Sequence, residues 1–136
     1  MLASYLLDTS ALYPLVLLLR ERVLEAAGRL AVLDLTFYEV GNVIWKEHRR
    51  GRVRDPAAAA MMFQEVLAEM EVLSLQGSLG EVEELAVKEG LSFYDASYLY
   101  AARRHGLRLV TEDADLRRYP EALGVRELVA RLGLEE

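Results

Sequence analysis

The sequence predicts an α/β fold, a doubly wound parallel sheet of about four or five strands with helices on both faces. Three observations predict it. Short apolar runs alternate with longer amphipathic stretches from one end of the chain to the other, the pattern of strands linked by crossover helices. Helix start and stop signals fall at most of the boundaries between them. The 136 residues, 53% of them apolar, make one domain (1–136) with enough material to bury a core without staples.

Taken in order, the first strand is roughly Ser4–Leu7, within the apolar run Leu2–Leu7, and a helix follows from about Ala11 to Ala27. Gly28 then stands where a C′ glycine ends a helix. Leu30–Leu35 reads as the second strand, and a helix runs from Thr36 to about Arg50, stopped by Gly51. Asp55-Pro56 pairs an N-cap acid with proline at the first helical position, and so opens a helix carrying Ala57–Met70. Val72–Leu75 is a short strand. Ser78 and Glu81 have the spacing of a capping box for a helix ending near Gly90. Ser92 opens another helix that ends at Gly106, directly before the strand Leu107–Thr111. A short helix or turn around Asp115–Arg118, a possible fifth strand at Gly124-Val125 and a helix near Arg126–Leu132 complete the chain.

Such sheets bind ligands beyond the carboxyl ends of their strands, where the strand order reverses. The two strands flanking that reversal are expected to be Ser4–Leu7 and Leu107–Val110, and they lead into Asp8 and Asp113. Glu39 and Asp95, each in the first turn of an expected helix, can join them at the same edge. Four acids with no Lys or Arg in their local motifs suggest a divalent metal site. Each acid taken alone is better explained by helix capping: Thr36-Phe37-Tyr38-Glu39 matches a capping box, Ser92-Phe93-Tyr94-Asp95 a weaker one, and Asp8 and Asp113 stand at N-cap positions. Their joint arrival at one edge is what favours chemistry.

At these residues the chain resembles the PIN-domain ribonucleases, particularly the VapC-type toxins of toxin–antitoxin pairs. Tyr5-Leu6-Leu7-Asp8-Thr9-Ser10-Ala11-Leu12 is similar to the family's opening motif. Three more stretches correspond in order and spacing: Thr36–Asn42, Leu91–Ala96, and Leu109-Val110-Thr111-Glu112-Asp113-Ala114-Asp115-Leu116. The resemblance implies a three-layer PIN-like sandwich and a Mg²⁺- or Mn²⁺-dependent endoribonuclease. Asp8, Glu39, Asp95 and Asp113 become its catalytic metal ligands, with Asp115 as an auxiliary acid. It also implies an RNA substrate, products with a 5′-phosphate and a 3′-hydroxyl, a cognate antitoxin protein that blocks the cleft, and a homodimer. Leu116 stands where the family often has an aromatic. The apolar stretch Tyr13–Leu19 lies where family members build dimer or partner contacts, and suits such a surface.

The chemistry wants these residue types. Phosphodiester hydrolysis needs an activated water and relief of negative charge, which hard oxygen ligands holding a divalent cation provide. Without metal the clustered acids repel one another, so raised carboxylate pKa values are expected. Thr9, Ser10, Asn42 and Thr111 are candidates to orient these acids or touch a phosphate oxygen, whereas Ser97 is expected to bond its own helix backbone.

Other features carry less. The basic stretch Lys46–Arg54 is either a solvated helix end or a phosphate contact along RNA. His48 and His105 have no partner at metal-ligand spacing. Tyr94, Tyr98 and Tyr100 read as core or interface packing, and Trp45 with Ile44 and Phe37 as the buried side of its helix. A net charge of −6 argues against indiscriminate polyanion binding. No cysteine leaves no disulfide or thiolate zinc site. The absence of a basic leader or a span-length apolar run predicts no export signal, no membrane segment and a cytoplasmic address. Two other classes fit less well. A phosphoacceptor signalling domain needs adjacent acids after strand one and a late lysine, but the chain has Leu7-Asp8 and no Lys beyond Lys88. A catalytically silent RNA- or protein-binding relative does not need all four acids.

Overall fold

The computed structural model describes residues 2–135. Its centre is a five-stranded parallel sheet in the order β3-β2-β1-β4-β5, with β1 at Tyr5–Leu7, β2 at Leu30–Leu33, β3 at Glu71–Leu73, β4 at Arg108–Val110 and β5 at Ala122–Leu123. Order reverses between β1 and β4, which pair in register Leu6 to Leu109 and Leu7 to Val110. That is the reversal point the sequence predicts.

Strand alternation divides the core into two layers, because successive side chains point to opposite faces. Tyr5, Leu7, Leu30, Val32 and Val110 face one layer. There they meet α1 (Thr9–Leu19), α2 (Asp34–Arg49), α3 (Pro56–Leu67) and α7 (Val125–Leu132). Leu6, Ala31, Leu33 and Leu109 face the other layer, against α5 (Phe93–His105) and Leu116 of α6 (Ala114–Arg117). Helix α4 (Leu79–Glu89) packs on α5 through Val82, Ala86 and Ala96. Every residue of β1 and β2 is buried, as expected of parallel strands covered on both faces.

Most helix ends follow their local signals. Gly90 and Gly106 close α4 and α5 in left-handed conformation at φ 68° and 66°. The Asp55 side chain caps α3 through the Ala58 N–H at 3.0 Å, and the Ser92 hydroxyl caps α5 through the Asp95 N–H at 3.1 Å. The expected capping box at Ser78 does not form: its side chain makes no cap, and Glu81 accepts instead from the Tyr100 hydroxyl of α5 at 2.6 Å. The fifth strand is Ala122–Leu123, not Gly124-Val125. Gly124 is the N-cap of α7, and a side chain there would lie 2.6 Å from the Arg117 guanidinium. Helix α2 begins at Asp34, two residues before Thr36, and the Thr36 hydroxyl accepts from the Leu33 N–H at 3.1 Å. Its buried stripe is Thr36, Val40 and Ile44 at four-residue spacing. Trp45 and Phe37 fall beside that stripe and are 52% and 41% exposed, so neither marks the buried side; Arg49 covers the Trp45 ring at 5.1 Å.

The largest departure lies after α1. The expected helix to Ala27 stops at Leu19, and two 3-10 turns, Arg20–Glu25 and Ala27–Arg29, carry the chain to β2. Gly28 sits inside the second turn and ends nothing. The tighter turns bring Val23, Ala26 and Ala27 into the core, which the apolar spacing alone did not separate from a continued helix. The break falls on Arg20, at φ 55° and ψ −135°, a conformation that costs an L-residue about 1–3 kcal/mol. Arg20→Gly is therefore expected to raise the midpoint of thermal unfolding by a few degrees, about 1 kcal/mol after glycine's extra unfolded-state freedom is set against the relieved strain. Calorimetry on both proteins checks this; an unchanged or lower midpoint contradicts it.

Candidate active site

The β1–β4 pairing delivers the first acid. Asp8 follows β1, and its backbone N–H donates to the Val110 carbonyl at 3.1 Å, which ties it to β4. Its side chain caps α1: Oδ1 accepts from the Ala11 N–H at 3.0 Å and from the Ser10 hydroxyl at 2.6 Å. Oδ2 accepts from the Thr111 hydroxyl at 2.5 Å. Ser10 in turn accepts from the Glu112 N–H at 2.9 Å, and Thr111 from the Asp113 N–H at 3.0 Å. Two hydroxyls on neighbouring chain segments thus clamp one carboxylate.

Glu39 is held from two other helices. The Thr9 hydroxyl donates to its Oε1 at 2.9 Å, and the Tyr98 hydroxyl donates to the same oxygen at 2.7 Å. Because α2 starts two residues before Thr36, Glu39 lies in the second turn and caps nothing. Tyr98 is 2% exposed, and its oxygen lies 2.7 Å from that of Thr36. The Tyr98 proton goes to Glu39, so Tyr98 accepts here and the Thr36 hydroxyl is the donor. Hydrogen bonds then run one way, from Leu33 through Thr36 and Tyr98 into Glu39. Burial raises the pKa of the Tyr98 phenol, which keeps it a donor. The sequence reading of Tyr98 as packing missed this; its i+3 spacing from Asp95, on one helix face, was the available signal.

Asp113 caps α6 through Oδ2, which accepts from the N–H groups of Asp115 and Leu116 at 3.0 and 3.1 Å. Its Oδ1, Glu39 Oε2 and both oxygens of Asp95 accept none of the hydrogen bonds among the described residues. Asn42 is exposed and lines a cavity of about 400 Å³ together with Thr9, Ser10 and Glu39. Ser97 donates to the Phe93 carbonyl at 2.8 Å, the backbone bond expected of it. His48 bonds the Val53 carbonyl at 2.8 Å through Nδ1. In the basic stretch, Arg50 and Arg52 pair with Glu47 at 3.3 and 3.1 Å, so an internal acid answers part of its charge.

The acids feel one another. Asp8, 4% exposed, has a pKa raised to about 6, chiefly by burial, with the Asp113 charge adding; the bonds from Ser10, Thr111 and Ala11 oppose this and lose. Asp95 is also raised, first by burial and then by the charges of Asp113, Glu39 and Asp115. No ion pair among the described residues involves Asp8, Glu39, Asp95, Asp113 or Asp115. The cluster is a patch of negative charge at the carboxyl edge of the sheet, with Arg118 acting on Asp115 at its rim.

A hard divalent cation fits that patch. All its donors are oxygens, and several are unbonded. Among the described residues no group of three or more acids or histidines is arranged to hold one ion by itself. Mg²⁺ does not require that, because it keeps several waters and takes one or two carboxylates directly.

Known proteins agree with this architecture. The PIN domain family matches residues 5–122. Exonuclease VapC9 of Pyrobaculum aerophilum is 44% identical over 133 residues, covering 97% of this chain and 98% of that protein. Ribonuclease VapC3 of the same organism is 38% identical over 98 residues, 71% of this chain and 75% of its own. The crystal structure of PAE2754 from Pyrobaculum aerophilum matches with a TM-score of 0.87 at 44% identity, covering 99% of this chain and all of that one. A toxin–antitoxin complex from Klebsiella pneumoniae shares the fold, with a TM-score of 0.64 at 22% identity over 88% of this chain and 96% of that one. From its strand order to its spaced acids, the chain belongs to the PIN-domain family, and within it to the VapC type.

Proposed function

We infer that this protein is a metal-dependent endoribonuclease and the toxin component of a toxin–antitoxin pair. The observation that carries the reading is the set of acids at the sheet's reversal point, mutually repelling and in no ion pair among the described residues. The relatives named ribonuclease and exonuclease support a nuclease, and the toxin–antitoxin complex of the same fold supports an antitoxin as partner. Mg²⁺ or Mn²⁺ is the cation in this reading, and Asp8, Glu39, Asp95 and Asp113 are its ligands, with Asp115 beside them. Among the described residues no helix is long and apolar enough to cross a membrane; a cytoplasmic location is part of the same proposal. A homodimer is the proposed assembly; in the stretch Tyr13–Leu19 it has the exposed Leu17 and Leu18 to cover.

When bound, the cation supplies a water of lowered pKa and a counter-charge for the phosphate. The chain's residues do the rest. Ser10 and Thr111 fix the plane of the Asp8 carboxylate, while Thr9 and Tyr98 occupy Glu39 Oε1 and leave Oε2 without a hydrogen bond among the described residues. Asp95 and Asp113 also keep unbonded oxygens, and the two interact electrostatically. The water oxygen bonds to phosphorus as the bond to the 3′ oxygen breaks; the water gives up a proton to solvent and the 3′ oxygen takes one from solvent, giving 5′-phosphate and 3′-hydroxyl ends. One relative's name specifies an exonuclease. A circular RNA separates the two modes, since only internal cleavage can open it.

RNA cleavage is expected with Mg²⁺ or Mn²⁺, including of a circular substrate, and to stop with EDTA. Asp8→Asn and Asp95→Asn are expected to lower kcat/KM about a hundredfold or more, the range for removing a group that stabilises transition-state charge. Cleavage that survives EDTA or both substitutions refutes the metal site; cleavage of linear but not circular RNA makes the enzyme an exonuclease.

The raised pKa of Asp8 has a stability consequence. Its unfolded-state value is near 3.8 and its folded value about 6, so between these the folded protein binds more protons. Stability of the metal-free protein therefore falls as pH rises from 4 to 6, by on the order of 2 kcal/mol from this group. Asp8→Asn is expected to unfold at a higher temperature than the metal-free parent at pH 7, and at about the same temperature near pH 4. Thermal melts at the two pH values measure it.

Tyr98 is a positioning residue. Tyr98→Phe keeps the ring and removes the donor to Glu39, and is expected to weaken Mn²⁺ binding about tenfold, the usual cost of losing a partner that orients a ligand. Calorimetric titration with Mn²⁺ reads this directly; unchanged affinity sinks the assignment.

A further inference from the structure

A cavity of about 610 Å³ opens beside the acids but holds none of the four proposed ligands. Its walls include Leu33, Leu75, Phe93 and Tyr94, and its polar side chains include Asp34 and Gln76. Two of its elements place it at the proposed cutting site. Phe93 and Tyr94 directly precede Asp95 in the first turn of α5. Leu33 and Asp34 stand at the carboxyl end of β2, the strand next to β1 and Asp8.

The lining selects the ligand class. Neither Lys nor Arg borders the cavity, so it is unsuited to a phosphate. An apolar cleft with aromatic walls and few polar groups suits a flat ring with a polar edge, such as an unstacked nucleobase. Tyr94 is 59% exposed, a large aromatic left in solvent beside the acids, as a stacking platform must be. The edge is read by Asp34. Its Oδ1 accepts from the Leu35 N–H at 2.9 Å, and its Oδ2 accepts none of the hydrogen bonds among the described residues. A carboxylate only accepts. Among the common bases guanine alone presents two adjacent donors, N1–H and the N2 amino group, on its pairing edge. The Gln76 amide supplies a donor for guanine O6.

We propose that this cavity is a base-reading subsite that takes an unpaired guanine next to the scissile phosphate, stacked by Tyr94 and paired at its edge by Asp34. The proposal rests on the RNA-cleavage reading for its setting, but binding tests it without cleavage. Guanosine and adenosine, which carry no phosphate for the acids to repel, are titrated into the metal-free full chain and followed by NMR at Phe93, Tyr94 and the Gln76 side-chain amide. Guanosine is expected to perturb those groups and to bind about tenfold more tightly than adenosine, the discrimination of one good bidentate pair. Asp34→Asn is expected to remove that preference, and Tyr94→Ala to weaken both nucleosides. Cut sites mapped on a random RNA pool are expected to show guanine enriched at one position flanking the break, with Asp34→Asn losing the enrichment. Equal binding of both nucleosides, shifts outside the cavity, or shifts only with an apolar peptide overturn the subsite. Guanosine-selective binding without any RNA cleavage overturns the nuclease reading and leaves a guanine-binding cavity, so the two failures are told apart.

Discussion

The parallel pairing of β1 with β4 is the constraint on which the site depends. Leu7 stands opposite Val110, so the next residue on each strand, Asp8 and Thr111, emerges at the same level of the sheet edge. The Thr111 hydroxyl then reaches Asp8 without a loop to position it. A slip of one residue in that register turns Thr111 toward the opposite face and unmakes the clamp. The two-layer core forbids such a slip, because it also exchanges the sides of Leu109 and Val110, which face different layers. Hydrophobic burial on both faces therefore sets the position of a polar bond at the edge.

That position is costly to the apoprotein. Asp8 receives three hydrogen bonds, each of which favours its charged form, and burial still outweighs them. Asp95 lacks such bonds and is further raised by its acidic neighbours. A side chain chosen for stability at Asp8 would be neutral. In the proposed function its charge is matched by a cation supplied from outside the chain, and the loss of fit without that cation is then a trade of stability for function.

How much of this was legible in the sequence depends on how local each determinant is. The strands before Asp8 and Asp113, and the stops at Gly90 and Gly106, follow from apolar runs and from a residue type that accepts positive φ at little cost. The break at Arg20 could not be read this way, because an arginine there violates the preference that marks helix ends. Glu81 and Glu39 both sat in capping-box spacing, and neither caps its own helix. A distant tyrosine hydroxyl bonds each of them, Tyr100 and Tyr98 respectively, and such partners are set by helix packing that spacing does not encode. The cavity beside Asp95 was illegible for the same reason: β2, the segment after β3 and the start of α5 meet only in the folded chain.

Capping and metal binding, which compete as explanations when the sequence is read alone, do not exclude each other at one side chain. Asp113 gives one oxygen to two backbone N–H groups of α6 and keeps the other unbonded. Glu39 divides its oxygens in the same way, with hydroxyls in place of amides. A carboxylate tied at one oxygen has lost most of its rotamer freedom, so the free oxygen points in a fixed direction and a ligand need not bear that ordering cost. Helix N-termini thus serve as mounts for Asp8 and Asp113, and hydroxyls of two other helices do so for Glu39. Asp8 and Asp113 cap α1 and α6, the helices that follow the two strands flanking the reversal: the first turn of a helix at a parallel sheet's edge offers unpaired backbone donors that hold a carboxylate still.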